Sequence, residues 1–336
     1  MSASGLPFDD IRTLAQMLPP PDADAMAAVT AHNRNLAKPV GSLGRVEELA
    51  VWLAGWQGNP RPAITRPLLA IFAGNHGVTA QGVSPWPQGM TSEIVANYAA
   101  GGAAANQICA VGDVGLKVFE LALPVATRDI SREPAMDEKE CAATIAFGME
   151  AIAGGADLLC LGGFGIGNHT IAAAMLTALL GGAPEDWLVE QGDARRNGLA
   201  AINTALALHG RSLDDPLEVL RRLGGREFAA IAGAILAARL QRIPVVLSGI
   251  VTLAAAAVLE RLGPNALDHC TAGHASPAPA HGKALAALGL TPVLSTEIAL
   301  EDGAGAALAV PHLRAAAACN ADMATAEQAG LSGKLH

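Results

Sequence analysis

The residues best able to do chemistry sit just past apolar runs. In "DLLCLGGFGIGNHTIAAAM" (157–175), Gly162, Gly163, Gly165 and Gly167 follow a strand-like stretch, and Asn168, His169 and Thr170 open an alanine-rich helical one. A strand, a glycine turn and a helix together let backbone N–H groups and a helix N-terminus hold an anion. The stretch lacks the lysine of a Walker A loop and is not a dinucleotide fingerprint. Glycines that merely permit close packing would read the same way. "EDGAGAALAV" (301–310) has a similar layout, with Glu301 and Asp302 at its head. A carboxylate there suits a general base, and an aspartate there suits a helix cap equally.

Other candidates carry weaker signals. The turn-rich loop "AGNHGVTAQGVSPWPQGMT" (73–91) contains His76 as a possible ligand or acid. Its Trp86, between two prolines, is a stiff plate suited to stacking on an aromatic ligand or to covering a core. Lys38 and Arg45 flank a turn in "KPVGSLGR" and meet either a phosphate or water. His269, His274 and His281 in "HCTAGHASPAPAHGK" fit no zinc spacing, and no cysteine or carboxylate completes a ligand set.

The elements that must position these residues follow from the apolar pattern. Short β-type runs at 67–74, 115–123, 157–162, 243–249 and 290–296 alternate with alanine- and leucine-rich segments of helical length. Continuous apolar strands between helices predict an α/β fold, a doubly wound, Rossmann-like parallel sheet covered on both faces. Ligands of such sheets bind beyond the carboxyl ends of the strands. Residues 1–62 contain no convincing strand and read as helices around a Pro/Gly turn, and residues 311–336 read as helical. The expected organisation is therefore an α/β body over 63–310 beside a small helical lobe made from both ends.

Composition narrows the function further. The chain of 336 residues is 51% hydrophobic but only 3% aromatic, so its core must be built from Ala, Leu, Val and Ile. With 22 basic against 31 acidic residues and no basic cluster, a nucleic-acid partner is not expected. Five scattered cysteines without a CxxC suggest reduced thiols and a cytoplasmic protein. The opening stretch "MSASGLPFDDIRTLAQM" has no signal pattern. The most apolar window, from Arg226 onward, is broken by Arg239, Arg242 and Pro244 before it could span a membrane.

Taken in order, "KPVGSLGR", "AGNHGV", "ANYAAGGAAANQIC", "GIGN.T.AAA", "LGGREFAAIAGAILAAR" and "GAGAALA" closely resemble the nicotinate-nucleotide–dimethylbenzimidazole phosphoribosyltransferase family, over essentially the whole chain. The resemblance implies a homodimer that moves phosphoribose from nicotinate mononucleotide onto a benzimidazole nitrogen and needs no metal or other cofactor. It implies that Gly165, Ile166, Gly167, Asn168 and Ser276 hold the phosphoribose, and that Ser84, Trp86, Glu93 and Phe164 border the base. It also implies a catalytic carboxylate at Asp302 or Glu301.

The same resemblance exposes departures. Asp302 stands where the family carries its catalytic glutamate, Gly163 where it carries a second, and His169 where it carries a threonine. Ser248 replaces an aspartate, Ala278 a glutamate and Glu93 a glutamine. The phosphate lysine between Trp187 and His209 is missing, with Arg195 or Arg196 as its candidate substitute. Two readings follow. One is a phosphoribosyltransferase with a remodelled site; the other is a non-catalytic paralogue that binds ligand or pairs with an active family member.

Overall fold

The computed structural model describes residues 7–331; residues 1–6, part of the opening stretch read above, and 332–336 lie outside the described residues. Helices α1 (Pro7–Gln16), α2 (Ala23–Asn33) and α3 (Arg45–Gln57) precede strand β1 (Pro67–Ala73). Helices α4 (Met90–Ala99) and α5 (Ala104–Gly112) lead to β2 (Gly115–Glu120), and α6 (Glu138–Ala151) leads to β3 (Leu158–Phe164). Then come α7 (Asn168–Leu180), α8 (Gly192–His209), α9 (Pro216–Leu223), α10 (Arg226–Leu240) and β4 (Val245–Leu247). The chain finishes with α11 (Ile250–Leu262), β5 (Cys270–His274), α12 (Pro279–Ala287), β6 (Pro292–Leu294) and α13 (Ala304–Asp322).

All six strands are parallel, in the order β2-β1-β3-β4-β5-β6. The doubly wound α/β fold expected from the sequence is therefore present. Alternation along the strands sends Ala70, Phe72, Leu159 and Leu161 into one helical layer with α6, α7, α10 and α11. Leu69, Ile71, Leu158 and Cys160 point into the other, against α3, α5 and α13. Both faces of these central strands are buried, which is why they read as unbroken apolar runs.

Five of the strands coincide with the apolar runs picked out above; β5 does not. Its sequence CTAGH has no apolar run, yet all five residues are buried. Gly273 explains its place: a Cβ there would press on Ala306 and the Gly305 carbonyl of α13, so the strand tolerates that helix only as glycine. The C-terminal reading also needs correction. Helix α13 stops at Asp322, and the chain beyond it makes a bridge from Thr325 to Leu36 and then a turn. Asn320 donates to Asn33 at 2.9 Å, tying α13 to α2. Among the described residues, no helix is long and apolar enough to cross a membrane.

Helices α6 and α10 approach through paired glycines. A Cβ on Gly148 would overlap the Ala230 carbonyl, and one on Gly233 the Ile145 carbonyl. Overpacking a contact of this kind costs about 1–3 kcal/mol. Gly148→Ala and Gly233→Ala should each lose about that much in urea unfolding, whereas Gly282→Ala, where a Cβ meets open space, should cost far less.

Candidate active site

Strand order reverses between β1 and β3, since the chain runs outward to β2 and then returns to continue on the other side. Ligands of open α/β sheets bind beyond the strand ends at such a switch point. The loops leaving these two strands are the histidine loop after Ala73 and the glycine loop after Phe164. Each glycine of the cluster has its own steric reason. Gly162 leaves room for the Asp302 backbone, Gly163 for Val251 and Ile231, and Gly165 for the Gly74 carbonyl. Gly167 has φ +86°, the left-handed conformation that starts α7.

The glycine loop is covered by the histidine loop. Thr79 and Val83 side chains crowd Gly167, and the Ile166 amide donates to buried Thr91 Oγ at 3.2 Å. The Asn168 amide returns to the Gly165 carbonyl and the Thr170 amide to the Gly167 carbonyl. Among the described residues, the Gly167 and His169 amides are left over at this helix start, where an anion is favoured.

Beneath the loop lies a pair that sequence reasoning half misses. His76 Nε2 is 2.6 Å from Glu227 Oε1, and both side chains are fully buried. Side chains at Gly74 or Gly225 would collide with this pair. His76 thus works as a structural residue of the switch point rather than an exposed acid. Glu227 carries only a faint signal in the sequence: it is the single carboxylate of a largely apolar helix, two residues past a glycine pair.

Asp302 and Glu301, adjacent in the chain, serve different networks. Asp302 accepts from Tyr98 Oη at 2.5 Å and from the Ala304 amide at 3.0 Å, so it does cap the start of α13. Tyr98 lies edge-on to Phe164 with ring centroids 6.3 Å apart, which puts two aromatic rings beside this carboxylate. Burial and the Asp302 charge push the Tyr98 phenol well above its ordinary pKa. Glu301 turns instead to His169, with Oε2 3.2 Å from Nε2, while the other ring nitrogen lies 3.2 Å from Glu190 Oε1. Burial disfavours the imidazolium, but pairing with Glu190 and Glu301 outweighs it and raises His169 to about 10. Burial would raise Glu301, yet His169 holds it below the ordinary glutamate value. The sequence marks His169 only as a helix-start residue, and Glu190 gives no signal there, being polar among polar loop residues.

The remaining candidates divide. Ser276, in the loop after β5, accepts from the Ala278 amide at 3.3 Å, and its own amide meets His281 Nδ1 at 3.4 Å. His281 stacks on His274 with centroids 5.4 Å apart, and burial holds both below the usual imidazole range. His269 sits at the opposite end of β5, bonded to the Ile235 carbonyl, so the three histidines do not converge. Ser84 Oγ accepts from the Trp86 amide, and Trp86 is 58% exposed, so it covers no core. Glu93 is exposed, while Thr91, Val95 and Tyr98 form the buried face of α4; Glu93 is therefore not brought together with Tyr98, Phe164 and Asp302. Arg195 is spent on the carbonyls of Glu185, Leu188 and Glu190, and Arg196 pairs with Asp193 in solvent. Before and within α3, Lys38 pairs with Glu47 and Arg45 meets Glu48 and the Thr291 carbonyl.

An anion-ready helix start and a carboxylate beside aromatic rings thus meet at one switch point of a parallel sheet, an arrangement suited to a phosphorylated ligand. The profile of the phosphoribosyltransferase family matches residues 18–331, and the chain belongs to that family. It is 58% identical to nicotinate-nucleotide–dimethylbenzimidazole phosphoribosyltransferase of Rhizobium etli (strain CIAT 652), over 99% of this chain and 100% of that protein. With the enzyme of the same name from Sinorhizobium medicae it shares 57% over the full length of both. The crystal structure of the enzyme of that name from Thermus thermophilus superposes with a TM-score of 0.86 at 39% identity, covering 93% of this chain and 99% of that one.

Two outcomes follow from these networks. Removing either half of a buried hydrogen-bonded pair strands its partner at a cost of about 2–5 kcal/mol, so His76→Ala and Glu227→Ala should each lower urea stability by that much. The raised His169 pKa stabilises the fold fully below about pH 6.5, the unfolded value, and that contribution fades as pH rises through about 10. With 34% of its side chain open, solvent screens part of the pairing. The melting-temperature gap between the unmodified protein and His169→Gln should therefore be largest near pH 6 and vanish above pH 10.

Proposed function

We propose that this chain transfers phosphoribose from nicotinate mononucleotide to 5,6-dimethylbenzimidazole or a related base, giving α-ribazole 5′-phosphate and nicotinate in the assembly of the cobalamin nucleotide loop. One observation carries the reading. The Asp302 backbone lies against Gly162 of β3, its carboxylate has Tyr98 and Phe164 beside it, and the loop that leaves β3 carries the free amides of Gly167 and His169. Acceptor base and donor phosphate thus find opposite ends of one short site.

The chemistry is a substitution at C1′. A lone pair of the benzimidazole forms the new C–N bond as the bond to nicotinate breaks, its electron pair returning to the pyridine ring. The benzimidazole N–H proton passes to a carboxylate, and Asp302 is our choice over Glu301 because it stands beside the aromatic rings. A carboxylate retains free lone pairs after accepting two hydrogen bonds. Gly165, Ile166, Gly167, Asn168 and Ser276 line the phosphoribose side, and Phe164, with Ser84 and Trp86 at the rim, lines the base side.

The resemblance also gives this chain an aspartate and Gly163 where the family carries glutamates. Val251 and Ile231 fill the space beside Gly163, so a glutamate there has no room, and the acidic duty falls to residues 301 and 302. An aspartate is one methylene short, and a misplacement near 1 Å costs roughly a hundredfold in rate. We therefore expect a slow enzyme. We also infer a cytoplasmic homodimer.

The test is to incubate the protein with nicotinate mononucleotide and 5,6-dimethylbenzimidazole and follow nicotinate and ribazole phosphate by chromatography. We expect both products, and a loss of about 10²–10⁴-fold in kcat for Asp302→Asn. No nucleotide product with benzimidazole, purine or phenol acceptors at high protein concentration would overturn the reading in favour of a non-catalytic paralogue.

A further inference from the structure

The Glu190–His169–Glu301 cluster joins three separate segments: the loop before α8, the first turn of α7 and the loop before α13. Its location is defined by its neighbours in the chain. His169 directly follows Asn168 at the end of the anion-ready loop, and Glu301 directly precedes Asp302. On the reading above, phosphate sits at the first of these and the acceptor base at the second. What lies between them in a phosphoribosyl donor is the ribose.

The cluster is built to present an acceptor. Glu301 is fixed from several sides: His169 faces it, the Ile250 amide at the start of α11 donates to it, and its Cβ packs where Gly249 has no side chain. Its Oε2 faces the imidazole at 3.2 Å without an aligned hydrogen bond, which leaves this buried, ion-paired oxygen with an open lone pair. A buried acceptor with an open lone pair gains when a ligand donates to it. Neighbours do not meet that need. Among the described residues no hydrogen bond joins His274 or His281, the other titratable groups facing Glu301, to its carboxylate, and Asp302 only accepts.

We propose that Glu301 binds the ribose of the donor by accepting its 2′-hydroxyl, the hydroxyl next to the reacting carbon, and that His169, braced by Glu190, is the positioning residue that aims it. This rests on the phosphoribosyl reading of the site, and it assigns the three residues a shared task in this chain. Glu190 touches no substrate; it keeps the imidazole ring turned so that Nε2 meets Glu301.

A binding cycle tests this independently of turnover. Nicotinate mononucleotide and its 2′-deoxy analogue are titrated calorimetrically into the unmodified protein and into Glu301→Gln, with ribazole phosphate formation followed in parallel. A hydrogen bond to a charged group is worth roughly 10- to 100-fold in affinity. We expect the deoxy analogue to bind the unmodified protein weaker by that factor, Glu301→Gln to lose as much for the natural donor, and the two losses not to add. His169→Gln should give part of the loss and His169→Lys, which keeps a cation, less of it, with KM for the benzimidazole unchanged. Additive losses, or equal binding of both donors by the unmodified protein, would overturn the assignment. Binding with the expected cycle but no ribazole phosphate would overturn the transfer reading alone. Binding of neither donor would overturn both.

Discussion

The site depends on backbones that touch where the strand order reverses. Gly165 must lie against the Gly74 carbonyl, and Gly162 against the Asp302 backbone; any Cβ at either position would overlap main chain. These contacts set the distance between the anion-ready start of α7 and the carboxylates before α13. Closely packed interiors transmit such constraints rather than absorb them. The alanine-rich composition serves the same end, because helices faced with small side chains can come close enough to bring their N-termini together at the sheet edge.

That geometry also separates two neighbouring carboxylates. Asp302 closes onto its own helix start and the Tyr98 hydroxyl, while Glu301 is directed to His169 across the mouth of β3. The split gives the acidic pair two environments, one aromatic and one ionic, and different environments are how adjacent acids take different roles. The buried His76–Glu227 pair fills the floor underneath. Glycines at 74 and 225 are the room that the pair requires.

Much of this was legible in the sequence because it depends on local pattern. Apolar runs disclosed every strand but β5, and the rule that ligands bind beyond the carboxyl ends of the strands directed attention to the loops that follow them. Strand β5 was not legible, since Cys-Thr-Ala-Gly-His is buried by α13 rather than by its own hydrophobicity. The residues missed at the site share a cause. Tyr98, Glu190 and Glu227 acquire meaning only from partners at least 21 residues away, and no spacing within one segment reveals such a pair. The guanidinium of Arg195 misled for a different reason: its charge looked free, but the folding of its own loop turns the carbonyls of Glu185, Leu188 and Glu190 onto it.

The most direct measurement is a crystal structure of the protein with nicotinate mononucleotide bound. We expect the phosphate on the Gly167 and His169 amides, the ribose facing Glu301, and the space beside Phe164 and Asp302 open for the acceptor base. A nucleotide seated elsewhere, for instance in the cavity that Trp52 and Trp56 line between α2, α3 and the start of β5, with the glycine loop empty, would contradict it.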